Sequence, residues 1–161
     1  ENSKENKIYS PLSIKYTLKM LEEGANGITK QQISNVLEDY VVTKYTSNKN
    51  MSLANALFVR DTFKDSIKQN YVQNLQTRYN AEVVYDSFAS TKNVNSWVKN
   101  ETLNILPEIL DNIDKDQDFL LINALGIDME WKNKFFDRFL LGISLSNKSA
   151  IKRPIIKHLA S

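Results

Sequence analysis

The sequence predicts an α+β fold in which helices and strands are mixed without the regular βαβ alternation of a doubly wound sheet. Two helical periods lie near the start, first Leu12, Ile14, Leu18, Met20 and Leu21, then Ile33, Val36 and Leu37. Two stretches, SLANALFV at Ser52–Val59 and LLINALGI at Leu120–Ile127, both carry Leu-x-Asn-Ala-Leu-x before a β-branched residue and read as strands. A polar amide inside an apolar run is costly to bury without a hydrogen bond. The repeat is open to three explanations: an internal duplication, chance, or neighbouring strands with similar packing demands.

Taken in order, Ile8–Ser10 is a short apolar stub, and Ser10-Pro11 is a strong helix start because proline's missing donor would be unpaired there. Gly24 and Gly27 close this helix, and Thr29 caps a second one with Gln32 in the capping-box position. Residues 41–50 read as a loop. Phe63, Ile67, Tyr71, Val72, Leu75 and Tyr79 predict one helix over Phe63–Tyr79, followed by a short strand at AEVVYDSF. Thr91–Leu110 predicts a long helix that Pro107 ends or kinks. DNIDKDQDF at Asp111–Phe119 is an acidic turn. FLLINALGIDMEW is apolar on both faces and belongs in a sheet covered on both sides.

The 161 residues suffice for one domain with a core. A 42% hydrophobic, 25% charged composition is that of a globular chain, and no apolar run is long enough to span a bilayer. A formal charge of +2 gives no reason to expect nucleic acid or an anionic membrane as partner. The absence of cysteine excludes disulfides and thiolate chemistry. With one histidine, His158, no metal cluster or Ser-His-Asp system is expected; the acidic turn lacks the Gly and Glu of a calcium loop, which are Phe119 and Leu125 here. Four glycines make no phosphate-cradling loop. No catalytic residue, metal or cofactor is expected, and the chain does not read as an enzyme. Residues 137–161 carry five Lys/Arg and one acid and form a divergent basic segment, read as frame-shifted or disordered.

Six segments in order resemble the serpin family of serine protease inhibitors. IYSPLSI at Ile8–Ile14, LKMLEEGANGITKQQISNVL at Leu18–Leu37, SLANALFV, YNAEV at Tyr79–Val83, NSWVKNET at Asn95–Thr102 and LLINALGIDMEWKNKF each match a family stretch. In the last, Asn123, Ala124, Trp131 and Phe135 hold the signature spacing. The resemblance covers about residues 6–136, so that 1–136 is expected to be the N-terminal part of a serpin domain. It implies that SLANALFV and LLINALGI are the second and third strands of the large central sheet A, and that Thr91–Leu110 is the helix lying across it. It further implies that Ser10, Ser13 and Asn123 lie in the shutter region beneath the sheet centre, and Trp131 at the breach. Asn55 is expected to serve local strand hydrogen bonding instead.

A full serpin is more than twice this length, and the resemblance places the reactive loop outside this chain. Asp128-Met129 replaces the family's Lys-Gly, and Asn104 stands where the long helix has its customary Gly. The implied activity is inhibition of a serine or cysteine protease by reactive-loop insertion, with the chain truncated before the loop and not inhibitory by itself. The alternative is a binding protein or remnant that self-associates through Phe119–Ile127, beyond which no strand is expected to pair. Family precedent implies an extracellular location.

Overall fold

A computed structural model describes residues 10–129 and the backbone of residues 159–160. Helix α1 (Pro11–Gly24) starts as its sequence dictates: the Ser10 hydroxyl accepts the Ser13 N–H at 3.2 Å, and Pro11 occupies the first turn. Helix α2 (Gly27–Leu37) follows. Strand β1 (Met51–Arg60) leads through a 3₁₀ helix (Asp61–Ser66) into α3 (Gln69–Tyr79) and β2 (Ala81–Asp86). Helix α4 (Lys92–Glu101), β3 (Phe119–Ile127) and the short β4 (Leu159–Ala160) complete the described elements.

The strand order is β2-β1-β3-β4, with β1 parallel to β2 and antiparallel to β3. Helices cover both faces. Alternation along the strands sends Leu57, Val59 and Leu121 to one face, against Tyr16, Met20, Leu75 and Tyr79. Ala56, Phe58, Leu120 and Ile122 take the other face, against Val94, Val98 and Leu106. β3 is buried from Leu120 to Gly126, as its two-sided apolarity requires. No helix among the described residues is long and apolar enough to cross a membrane.

Four expectations are corrected. Helix α2 begins at Gly27, with Asn26 rather than Thr29 at the cap position, and no side-chain cap forms. Its predicted buried stripe reduces to Leu37, since Val36 is 71% exposed. The helix predicted over Phe63–Tyr79 is interrupted, because Ile67 and Lys68 are extended and the preceding turn is 3₁₀. Both halves still place Phe63, Ile67 and Leu75 against the same core.

The long helix predicted over Thr91–Leu110 ends at Glu101, six residues before Pro107. Leu103 and Asn104 both take positive φ, of 55° and 58°, which no α-helix continues through. Thr102 organises the reversal: its hydroxyl donates to the Val98 carbonyl at 2.7 Å and accepts the Leu106 N–H at 3.2 Å. Asn95 then pins the following chain, donating to the Leu110 carbonyl at 2.8 Å and accepting the N–H groups of Ile109 and Leu110. The apolar residues Ile105 and Leu106 reach the core from this loop rather than from a helix.

The fourth correction concerns the edge of β3, where a missing neighbour was expected. β4 pairs with it, Leu121 opposite Ala160 and Ile122 opposite Leu159. The acidic turn also has a structural employment. Arg60 donates to the carbonyls of Gln117, Ser87 and Asp114 and lies over the Phe88 ring, tying two loops to the end of β1.

Candidate functional site: a buried polar seam under the β1–β3 pair

Helix α1 turns small polar residues, not its leucines, toward the sheet. Ser13 and Thr17, one helical turn apart, are buried with Tyr16 and Met20, whereas Leu12, Ile14 and Leu18 are only half-buried. The Thr17 hydroxyl is satisfied within the helix by the Ser13 carbonyl at 3.0 Å. On the strands, Asn55 and Asn123 sit directly opposite each other and are each 5% exposed.

Their relation explains the repeated Leu-x-Asn-Ala-Leu. In antiparallel register the Asn pair is a pivot, with Leu53 opposite Leu125 and Leu57 opposite Leu121. The same Leu-Asn-Leu alternation on both strands therefore produces one polar pair flanked by two leucine pairs on a single face. Asn123 Nδ2 donates to Asn55 Oδ1 at 2.7 Å, and Asn55 Nδ2 donates to the Tyr79 carbonyl at 2.8 Å. That carbonyl belongs to the last residue of α3, where no helical partner exists for it. Asn55 was expected to act apart from Asn123; instead the two amides form one relay from β3 through β1 to the end of α3.

The seam is not fully satisfied. Ser13 Oγ and Asn123 Oδ1 are buried without a hydrogen-bond partner among the described residues. Such atoms are uncommon in folded proteins, and each marks unused bonding capacity. Ser10, Ser13 and Asn123 are all buried. Trp131 lies outside the described residues. Thr17 and Tyr79 were missed by sequence reasoning, and Asn55 was singled out but given a separate role. The i, i+4 spacing of Ser13 and Thr17 was the available signal for the first.

The seam continues outward through Tyr79, whose hydroxyl donates to Glu23 at 2.9 Å. Glu23 also accepts Asn74 at 3.2 Å and pairs with Arg78. Burial first, then the Glu23 carboxylate, pushes the Tyr79 hydroxyl well above the usual phenol range. Burial likewise pushes Tyr16 and Tyr71 up to about 12 from 10.0. A group whose folded pKa exceeds its unfolded value lends stability that is fully present below the unfolded pKa and lost as pH rises through the folded one. The fold is therefore expected to lose stability between pH 10 and about 12, with phenolate absorbance rising alongside loss of helical circular dichroism. Phenolate formation complete near pH 10 while the fold persists would refute this assignment.

The outer edge of β3 completes the site. At the two ends of the β1–β3 ladder, the Arg60 N–H donates to the Asp118 carbonyl and the Asp128 N–H to the Asn50 carbonyl, both at 2.7 Å. These bonds fix the phase of the antiparallel ladder, in which bonded pairs alternate. Even-numbered residues of β3 bond to β1, and the backbone groups of Phe119, Leu121, Asn123, Leu125 and Ile127 face away from it. Leu121 faces Ala160 of β4. Outward groups on Asn123, Leu125 and Ile127 have no backbone partner among the described residues. Nor do the described residues include a group of three His, Asp or Glu able to hold a metal.

A family model for the serpins, the serine protease inhibitors, matches residues 1–139. Mouse neuroserpin is 31% identical over 153 residues, covering 81% of this chain and 37% of its own length. A leukocyte elastase inhibitor from Xenopus tropicalis is 31% identical over 156 residues, covering 83% of this chain and 41% of its own. Among solved structures, the thermophilic serpin tengpin in its latent state has a TM-score of 0.72 at 24% identity over 86% of this chain and 42% of that one. A loop C-sheet serpin polymer gives the same TM-score at 25% identity over 86% of this chain and 41% of that one. Helices on both faces of a partial mixed sheet A, in this order, are those of the N-terminal portion of a serpin. This chain belongs to the serpin family. It spans about two fifths of the length of the curated relatives it matches.

Proposed function

We propose that this chain is the N-terminal sheet portion of a protease inhibitor that works by adding a strand beside β3. The reading rests on one observation: among the described residues, outward backbone groups at Asn123, Leu125 and Ile127 have no backbone partner and border a seam in which Ser13 Oγ and Asn123 Oδ1 have no hydrogen-bond partner. An added strand would take up those backbone groups, and strand separation would occur over Ser10, Ser13 and Asn123, which in this reading are the shutter. The leukocyte elastase inhibitor among the relatives favours a serine protease as the target of the whole protein. Mixed with a serine protease, the 161-residue chain is expected to give no covalent complex stable to denaturing electrophoresis, because residues 1–136 contain no segment resembling a bait loop.

The test of strand addition is titration with extended synthetic peptides of about a dozen residues, followed by amide exchange. Slower exchange at Asn123, Leu125 and Ile127, with a raised melting temperature, is the expected result. Leu125→Pro should abolish it, since the donor it removes faces away from β1. Peptides that protect none of these amides would refute the proposal.

A second reading is a binding protein that self-associates through the same edge. The relevant observation is that, among the described residues, β4 pairs with Leu121 and Ile122 alone on that edge of β3. Association that grows with concentration and is lost in Leu125→Pro supports it. Substitution at Ile122 would not separate the readings, because its backbone groups face β1.

A further inference from the structure

β4 comes from the part of the chain beyond the family match, which ends at residue 139. It lies antiparallel against the outer edge of β3, with Ala160 opposite Leu121. Because odd-numbered residues of β3 turn their backbone groups outward, Leu121 and Ala160 form a bonded pair in this ladder, each residue's N–H facing the other's carbonyl. Ile122 and Leu159, the adjacent pair, exchange no backbone bonds. The contact is therefore a specific one at the middle of β3.

We infer that the C-terminal segment of this chain occupies the outer edge of β3 in cis through Leu159–Ala160 and competes there with strands from other molecules. An uncovered edge of apolar strand recruits other chains, and proteins commonly guard such edges with a short strand or a cover of their own. β4 meets that description: it is two residues long, and it closes Leu121 while leaving the outward groups of Asn123, Leu125 and Ile127 without a described backbone partner. A tethered segment competes at an effective concentration set by its linker, so a weak contact suffices to keep free chains off the edge. The tail thereby regulates the same edge to which strand addition was assigned, and the competition rests on that reading, whereas the docking does not.

Ala160→Pro tests both, since it deletes the N–H facing the Leu121 carbonyl. In the full 161-residue chain, amide exchange at Leu121 is expected to become about tenfold faster in the variant, with exchange at Leu57 and Val83 unchanged as the check on folding. Sedimentation velocity across a concentration series is expected to show the variant associating at concentrations where the parent chain is monomeric. An unchanged Leu121 rate overturns the docking. A faster Leu121 rate with identical association in both chains leaves the docking standing and overturns the competition, together with strand addition at this edge.

Discussion

Asn55→Leu is expected to destabilise the fold by about 2–5 kcal/mol, measured as a lowered urea midpoint with an unchanged slope. The substitution keeps the branched side-chain shape and removes only its polar atoms, so the loss has a defined origin. It orphans two buried groups at once, the Tyr79 carbonyl and the Asn123 amide, and each costs about 1–3 kcal/mol when left unpaired away from water. Adding Asn123→Leu should recover part of the loss, because one of those orphans then disappears together with the unsatisfied Asn123 Oδ1. The double-mutant cycle should give a clear coupling between the two positions. Strict additivity would mean that the two amides do not act as a unit. Asn123→Leu alone removes one donor and leaves the Asn55 bond to Tyr79 in place, so it should be the milder single substitution.

Gly126→Phe, which copies into β3 the residue that β1 carries at the equivalent place, is expected to expel the loop after α4 from the sheet. Both positions face α4. Phe58 packs edge-on against Trp97, with ring centroids 6.0 Å apart. A Cβ at Gly126, however, would lie 2.9 Å from the Thr102 Cα and 3.0 Å from its carbonyl atoms. Those are backbone atoms of a fully buried residue, so no side-chain rotation relieves the clash. Even Gly126→Ala should cost about 1–3 kcal/mol, the range for overpacking a tight site. Amide exchange at Leu106, whose N–H bonds to the Thr102 hydroxyl, should accelerate in both variants. A Gly126→Ala chain as stable as the parent would show that Thr102 is free to move.

These two positions show what the repeated motif does and where it stops. The sequence carried the pattern Leu-x-Asn-Ala-Leu twice, and its meaning is a pairing rule: around the Asn55–Asn123 pivot, each leucine meets a leucine. The largest difference in size within the shared stretch, Phe58 against Gly126, marks where another element approaches too closely for a side chain. Neither partner nor distance is legible in one strand alone, because register is a property of two.

Elsewhere the line between local and non-local causes is equally clear. Ser10 and Pro11 start α1 through interactions within four residues, so the start was legible. Helix α2 kept its apolar pattern but buries only Leu37, since burial depends on what packs alongside. The chain after Glu101 has helical periodicity through Leu110, yet it turns at Leu103 and Asn104 and satisfies the same apolar demand as a pinned loop. Periodicity reports which residues seek the core, not the backbone path by which they reach it.

By itself, then, the amino-acid sequence determined the class of fold, the order of its strands and helices, the absence of thiolate chemistry and the family resemblance. Those depend on composition, short-range stereochemistry and motif order. The tertiary structure alone decided that the two asparagines form one relay, that Ser13 Oγ and Asn123 Oδ1 have no hydrogen-bond partner among the described residues, which backbone groups of β3 face outward, and that residues 159–160 pair with Leu121 and Ile122. Each of these is set by the phase and face of elements distant in sequence, and a hydrogen bond or a clash exists only once both sides are in place.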